Sequence, residues 1–114
     1  MVRKKILKKI QEGIIRRIVD VAHPDRIIMF GSAARGEMGP HSDIDILVIR
    51  RGEENQRDIA GQIYRRLYGI GYAVDIIVVT PEQVERFKDS PCLVIYPALK
   101  EGVVIYDAGK ITAR

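Results

Sequence analysis

Residues 31–48 read Gly31-Ser-Ala-Ala-Arg35-Gly-Glu-Met-Gly-Pro40-His-Ser-Asp43-Ile-Asp45-Ile-Leu-Val48, and their reading decides the fold. An apolar run, Arg26-Ile-Ile-Met-Phe30, leads directly into them, and a second, Ile44-Asp-Ile-Leu-Val-Ile49, closes them. The pattern predicts a strand, a small-residue turn, a polar loop and a second strand. Side chains alternate along a strand, so Asp43 and Asp45 fall side by side on one face. Two carboxylates that close repel each other, and a sheet centre is a poor place for unpaired charge. A bound cation is the usual remedy, and oxygen-only ligation favours a hard ion, most simply Mg2+. Upstream, Gly31 and Ser32 offer backbone N–H groups and a hydroxyl where a short helix is expected to begin, an arrangement suited to phosphate. A phosphate cradle beside carboxylate-held Mg2+ points to nucleotide chemistry.

Outward from this stretch, strands and helices alternate. Residues 2–22 carry Val2, Ile6, Ile10, Ile14 and Ile18 at every fourth position, which predicts a helix ended by His23-Pro24-Asp25. Strands are expected over 26–30 and 43–50, with Asp43, Asp45, Leu47 and Ile49 facing one way and Ile44, Ile46 and Val48 the other. Both faces of the second strand are largely apolar, so it should be central and covered on both sides. Asn55 is a cap for a helix whose stripe is Ile59, Ile63, Leu67 and Ile70, with Tyr64 and Tyr68 as packing and rim residues. Tyr72–Val79 reads as a third strand whose one charge is Asp75. A lone aspartate inside an apolar strand is expensive unless paired. With two carboxylates expected on a neighbouring strand, a metal ligand outweighs a merely hydrogen-bonded acid. Thr80-Pro81-Glu82-Gln83 opens a short helix to about Lys88. Ser90-Pro91 opens another, which Gly102 ends and Pro97 should kink or split. Val103–Tyr106 is a last strand or extended edge. The fold class is therefore α/β (α+β), a small mixed β-sheet flanked by helices.

Composition narrows the function. The 114 residues predict one domain, 1–114, able to bury roughly two thirds of its unfolded surface. No apolar stretch approaches the length of a transmembrane helix, and the basic N-terminus lacks the apolar core of a signal peptide. One cysteine, Cys92, excludes an internal disulfide framework and favours a reducing compartment; cytoplasm is the expectation. Cys92 sits in an apolar run and reads as packing, and His23 and His41 have no cysteine partner for a zinc site. The net charge of +4 is uneven, because Arg3, Lys4, Lys5, Lys8, Lys9, Arg16 and Arg17 face only Glu12 in the first 17 residues. No aromatic interleaves with these charges to stack a base, so direct nucleic-acid binding is not expected. A partner with an acidic surface remains open. The apolar run Pro91–Leu99 and the short last strand predict an exposed patch for homo- or hetero-oligomer formation.

Gly31-Ser32, ten residues, then Asp43-Ile44-Asp45 resembles the signature of the polymerase-β-type nucleotidyltransferase superfamily. Gly31-Ser-Ala-Ala-Arg-Gly36 with Ser42-Asp-Ile-Asp45 is most similar to its minimal nucleotidyltransferase (MNT) branch. The resemblance extends from about Ile6 to Tyr106 and is strongest at 30–49 and 72–79. It implies a polymerase-β-like fold, with Asp43, Asp45 and Asp75 as catalytic carboxylates and ligands of two Mg2+ ions about 4 Å apart. It further implies ATP as substrate, Gly31 and Ser32 on the triphosphate, Arg35 on the departing pyrophosphate, and Asp75 drawing the acceptor's proton. Larger members carry an acceptor-presenting domain, whereas a chain of this length is expected to receive its acceptor from another protein. In the MNT branch that partner is a helical HEPN-type toxin, to whose tyrosine AMP is transferred, the MNT protein acting as antitoxin. A non-catalytic antitoxin that works by binding, and a subunit that modifies a small molecule, are the alternatives.

Overall fold

The computed structural model describes the backbone of residues 2–37, 43–90 and 95–109, and their side chains from Lys8 onward. The elements are α1 (Val2–Ala22), β1 (Arg26–Phe30), β2 (Ile44–Ile49), α2 (Gln56–Leu67), β3 (Val74–Val79), α3 (Pro81–Phe87), α4 (Ile95–Glu101) and β4 (Val103–Asp107). The strands form one mixed sheet in the order β3-β2-β1-β4. β1 runs antiparallel to both β2 and β4, while β2 and β3 are parallel. Parallel neighbours need a crossover, and α2 supplies it. This is the expected α+β arrangement of a small mixed sheet with flanking helices.

Strand alternation divides the core in two. Ile44, Ile46 and Val48 of β2, with Ile27, Met29, Ile76 and Val78, meet Ile14 and Ile18 of α1 and Ile59, Ile63 and Leu67 of α2. On the opposite face Ile28, Leu47, Ile49 and Val79 meet Ile95 and Ala98 of α4, with Val84 and Phe87 of α3 partly buried beside them. β2 is thus central and covered on both sides, as its two apolar faces predict. The expected apolar patch over 91–99 is in part an inner surface: Ile95 and Ala98 turn onto the sheet, and 91–94, with Cys92, lie outside the described residues.

The helix ends follow local chemistry. Asn55 accepts from the backbone N–H of Arg57 and Asp58 at 2.8 and 3.2 Å, capping α2. Thr80 and Gln83 form a reciprocal capping box on α3. α1 stops where His23 adopts φ 45° in the left-handed region. Its last carbonyls are met from far along the chain, since Arg50 Nε donates to the Ala22 carbonyl at 3.0 Å from a side chain only 13% exposed.

Three expectations need correction. Residues 31–36 form a turn and not a regular helix. Pro97 does not split the helix, since α4 runs across it from Ile95 to Glu101. β3 begins at Val74, two residues later than expected, because Gly71 (φ 93°) and Tyr72 lie in a bend. Among the described residues no helix is long and apolar enough to cross a membrane.

Candidate active site

The carboxylates gather at one end of the sheet. Register places Phe30 of β1 opposite Asp45 of β2, and Asp45 opposite Asp75 of β3. Neighbouring strands lie roughly 4.8 Å apart, so Asp45 and Asp75 occupy adjacent positions on the same face. Asp43, two residues before Asp45, immediately precedes β2. All three belong to the face that carries Leu47, Ile49 and Val79, beyond the edge of that core.

The reason for tolerating these charges differs from the one read in the sequence. Asp75 is exposed, as is Asp43; Asp45 alone is half-buried. Asp75 is the second residue of an edge strand, so it is not a buried acid in need of a partner. What singles it out is its register with Asp45. Burial first, then the negative charges of Asp75 and Asp43, push the Asp45 carboxyl above its ordinary value, with Arg35 opposing. Ionising Asp45 is therefore uphill in this environment.

The turn after β1 is built against the same carboxylate. Gly31 takes φ 73°, a left-handed conformation that suits glycine. A Cβ at Gly31 would also collide with Asp45 Oδ2. Two independent demands thus fall on one position, backbone hand and room for the carboxylate. The turn is closed by bonds from Arg35 N–H to the Gly31 carbonyl at 3.2 Å and from Glu37 N–H to the Ser32 carbonyl at 2.9 Å. Ala33, 2% exposed, pins it to the α1/α2 core. Ser32 is half-buried and Arg35 exposed. Arg35 Nε donates to Glu37 Oε1 at 2.8 Å. That bond and the Glu37 charge raise the Arg35 pKa, with Glu101 and Asp45 adding to it. The one cation of the turn therefore lies in an acidic surrounding.

All six residues singled out by sequence are at this end of the sheet: Gly31, Ser32 and Arg35 in the turn after β1, Asp43 and Asp45 at the start of β2, and Asp75 on β3. Ser42 and His41 lie outside the described residues. Sequence reading missed Glu37, the acid two positions after Arg35. It also gave Tyr64 only a packing role, whereas its hydroxyl accepts from the Ile76 backbone N–H at 2.9 Å. Nothing local marks that long-range contact. Among the described residues no three His, Cys, Asp or Glu side chains are drawn into a finished ion cage. Asp43, Asp45 and Asp75 do not form such a cage. Their donor chemistry nevertheless fits a hard divalent cation, since they offer oxygen only and carry excess negative charge at Asp45.

The sequence matches the nucleotidyltransferase domain family over residues 7–105. The chain belongs to that family. Its members, of the polymerase-β-like superfamily, generally act on a nucleoside triphosphate with a divalent metal. Among solved structures, a protein assigned as a nucleotidyltransferase from Sulfolobus solfataricus superposes with a TM-score of 0.63 at 27% identity, covering 95% of this chain and 86% of that one. A crystal structure described as a toxin–antitoxin with AMP-PNP shares the fold with a TM-score of 0.63 at 17% identity, covering 90% of this chain and 77% of that one. The bifunctional uridylyltransferase/uridylyl-removing enzyme of Streptomyces coelicolor is 23% identical over 90 residues, which are 74% of this chain. This nucleotidyltransferase domain spans 11% of that enzyme's length.

Proposed function

We propose that this nucleotidyltransferase, a single minimal domain over residues 1–114, transfers AMP from ATP to a tyrosine hydroxyl of a helical HEPN-type toxin and acts as its antitoxin. The observation that carries the transfer chemistry is the register of Asp45 with Asp75, with Asp43 beside them and the Gly31 turn packed against Asp45. The biological role is supported by the resemblance of residues 31–36 and 42–45 to the MNT branch. The fold shared with a toxin–antitoxin solved with AMP-PNP accords with it. The uridylyltransferase relative makes UTP the competing donor.

In this reading the turn after β1 binds the triphosphate, with the Ser32 hydroxyl and turn N–H groups as donors. Arg35 exchanges Glu37 for the β- and γ-phosphates, where negative charge builds as pyrophosphate departs. Asp43, Asp45 and Asp75 would hold Mg2+, which when bound neutralises triphosphate charge and lowers the barrier to displacement. The acceptor oxygen forms a bond to the α-phosphorus as the bond from that phosphorus to the bridging oxygen breaks, releasing pyrophosphate. Asp75 takes the hydroxyl proton. Asp75 lies on the edge strand and the Gly31 turn follows β1, so β2 separates the acceptor side from the triphosphate side.

Incubation with α-labelled ATP or UTP, Mg2+ and a HEPN-type partner tests this. Label from ATP on a partner tyrosine is expected. Label from UTP alone corrects the donor. Label confined to a small molecule, or silencing of the toxin with no label anywhere, overturns the reading in favour of a small-molecule enzyme or a non-catalytic antitoxin.

A further inference from the structure

Asp75 stands on the least supported strand of the site. β3 is an edge and pairs with β2 alone. Parallel pairing is weaker per residue than antiparallel, and alternate residues of a parallel edge strand turn their N–H groups away from the partner. Ile76, next to Asp75, is such a residue, and its outward N–H goes to the Tyr64 hydroxyl at 2.9 Å. Tyr64 follows Ile63, which is fully buried, on a helix also anchored by Ile59 and Leu67. The helix that carries the hydroxyl is therefore anchored on the far side of the sheet from the carboxylates, while the Tyr64 ring itself is 44% exposed.

The chain on either side of Asp75 needs such a tie. Gly69 and Gly71 take φ values of 87° and 93°, and β3 starts only at Val74. Tyr64, Tyr68, Tyr72 and Val74 line an open surface cavity of about 240 Å³ at this corner, so solvent reaches the chain ahead of β3. Without the hydroxyl, β3 is fastened near Asp75 by its pairing with β2 and by the packing of Val74, Ile76 and Val78 on one face and Ile77 and Val79 on the other, and the outward Ile76 N–H loses its partner.

We propose that Tyr64 is a positioning residue for the transfer reaction: its hydroxyl fixes the backbone at Ile76 and so the place of the Asp75 carboxylate. The role rests on the functional reading above, in which Asp75 takes the acceptor's proton. It predicts an effect on turnover without one on nucleotide binding, because the triphosphate side belongs to the turn after β1. A displacement of the base by a fraction of an ångström is enough to lower turnover.

Tyr64→Phe removes the hydroxyl and keeps the ring. Two measurements on the purified variant, with and without the partner, test the inference. In amide hydrogen exchange followed by NMR, protection at Ile76 should fall on the order of tenfold while the amides of Ile46 and Val48 stay protected. In the transfer assay kcat should fall on the order of tenfold at unchanged KM for ATP. Tyr68→Phe takes the same hydroxyl from a ring 90% exposed at the same cavity and should change neither quantity. A mere loss of stability would not distinguish base from binder, but a double mutant does. In an Asp75→Asn background Tyr64→Phe should cost nothing further, because the residue it positions no longer takes a proton. The same loss with Asn at 75 as with Asp, or unchanged Ile76 exchange with full turnover, overturns the inference alone. Absence of transfer by the unmodified protein overturns the functional reading and this role together.

Discussion

The two faces of the sheet use the same three strands for opposite ends. Toward α1 and α2, β2 presents Ile44, Ile46 and Val48, each at most 1% exposed, and β1 and β3 add Ile27, Met29, Ile76 and Val78. Toward α3 and α4 the same strand presents Asp45, Leu47 and Ile49, and at the start of the strand the apolar lining gives way to Asp45, with Asp75 alongside. A two-residue period lets one chain segment hold the molecule together on one side and carry charge on the other. The apolar face fixes the register, since a slip of one residue would send Ile44 and Ile46 out and Asp45 into the core. The carboxylates are thus aligned by residues buried on the opposite face of the sheet.

Substitutions on the charged face should break function without folding. The largest effect is expected from Asp43→Ala with Asp45→Ala, which should abolish the Mg2+-dependent part of ATP binding in calorimetric titration while the circular dichroism spectrum stays unchanged. Equal affinity in both proteins would remove these residues from the metal site. Asp75→Asn keeps size and hydrogen bonding but not charge. It should still bind ATP–Mg2+, with transfer reduced by ~100-fold or more, the scale of a lost base or charge clamp. Transfer rates that agree within error would make Asp75 structural.

One position from Asp45, the opposite outcome is expected. Ile46 is fully buried between α1 and α2, and Ile46→Ala should lower stability by about 2–5 kcal/mol through lost burial and the cavity left behind. Urea titration measures this, and the folded fraction should bind ATP–Mg2+ with its original affinity. A loss of affinity as large as that of the aspartate pair would mean that the two faces are not separable. Gly31→Ala joins the faces at their boundary. The left-handed backbone should cost about 1–2 kcal/mol, and the new Cβ must push the Asp45 carboxylate aside. Stability and ATP–Mg2+ binding should therefore fall together, whereas Gly36→Ala, where a Cβ would have open space, should show the backbone cost alone.

These contrasts trace back to what the sequence states locally. The period-two pattern of 44–49, the caps at Asn55 and Thr80 and the stripe Ile59, Ile63, Leu67 each depend on residues within a few positions, so β2, α2 and α3 were legible. The pairing of Asp45 with Asp75 was legible in outline, because one strand–helix–strand unit brings its two strands together. Three features depend on distance in the chain and left no local mark: Arg50 capping α1 across 28 positions, the Tyr64 bond to β3, and the placement of β1 between β2 and β4. Asp75 was identified through a burial cost that its exposure removes. Its place beside Asp45 rests on strand register and not on desolvation.

The smallest effect expected is also the one that reads the charged face directly. The Asp45 carboxyl is held above its ordinary value, first by burial and then by Asp75 and Asp43. A carboxyl whose folded pKa is raised contributes stability that is fully present below its unfolded value and is lost as pH rises through the folded one. At neutral pH, without divalent cations, the ionised Asp45 therefore opposes folding. Asp45→Asn should melt about 1–3 °C above the unmodified protein there, a small gain because the group is only half-buried and solvent screens its neighbours. The gain should shrink as pH falls through the carboxylate range and vanish where Asp45 is protonated in both states. Millimolar Mg2+ should also erase it at neutral pH, by stabilising the unmodified protein through the ionised carboxylates and leaving the Asn variant little changed. Thermal melts from about pH 2.5 to 8 in chelator and in Mg2+ span these limits, the lower end lying below the ordinary aspartate value. A variant no more stable than its parent at neutral pH in chelator, or a gain that ignores both pH and Mg2+, would show that the two faces differ in composition but not in the strain their charges impose.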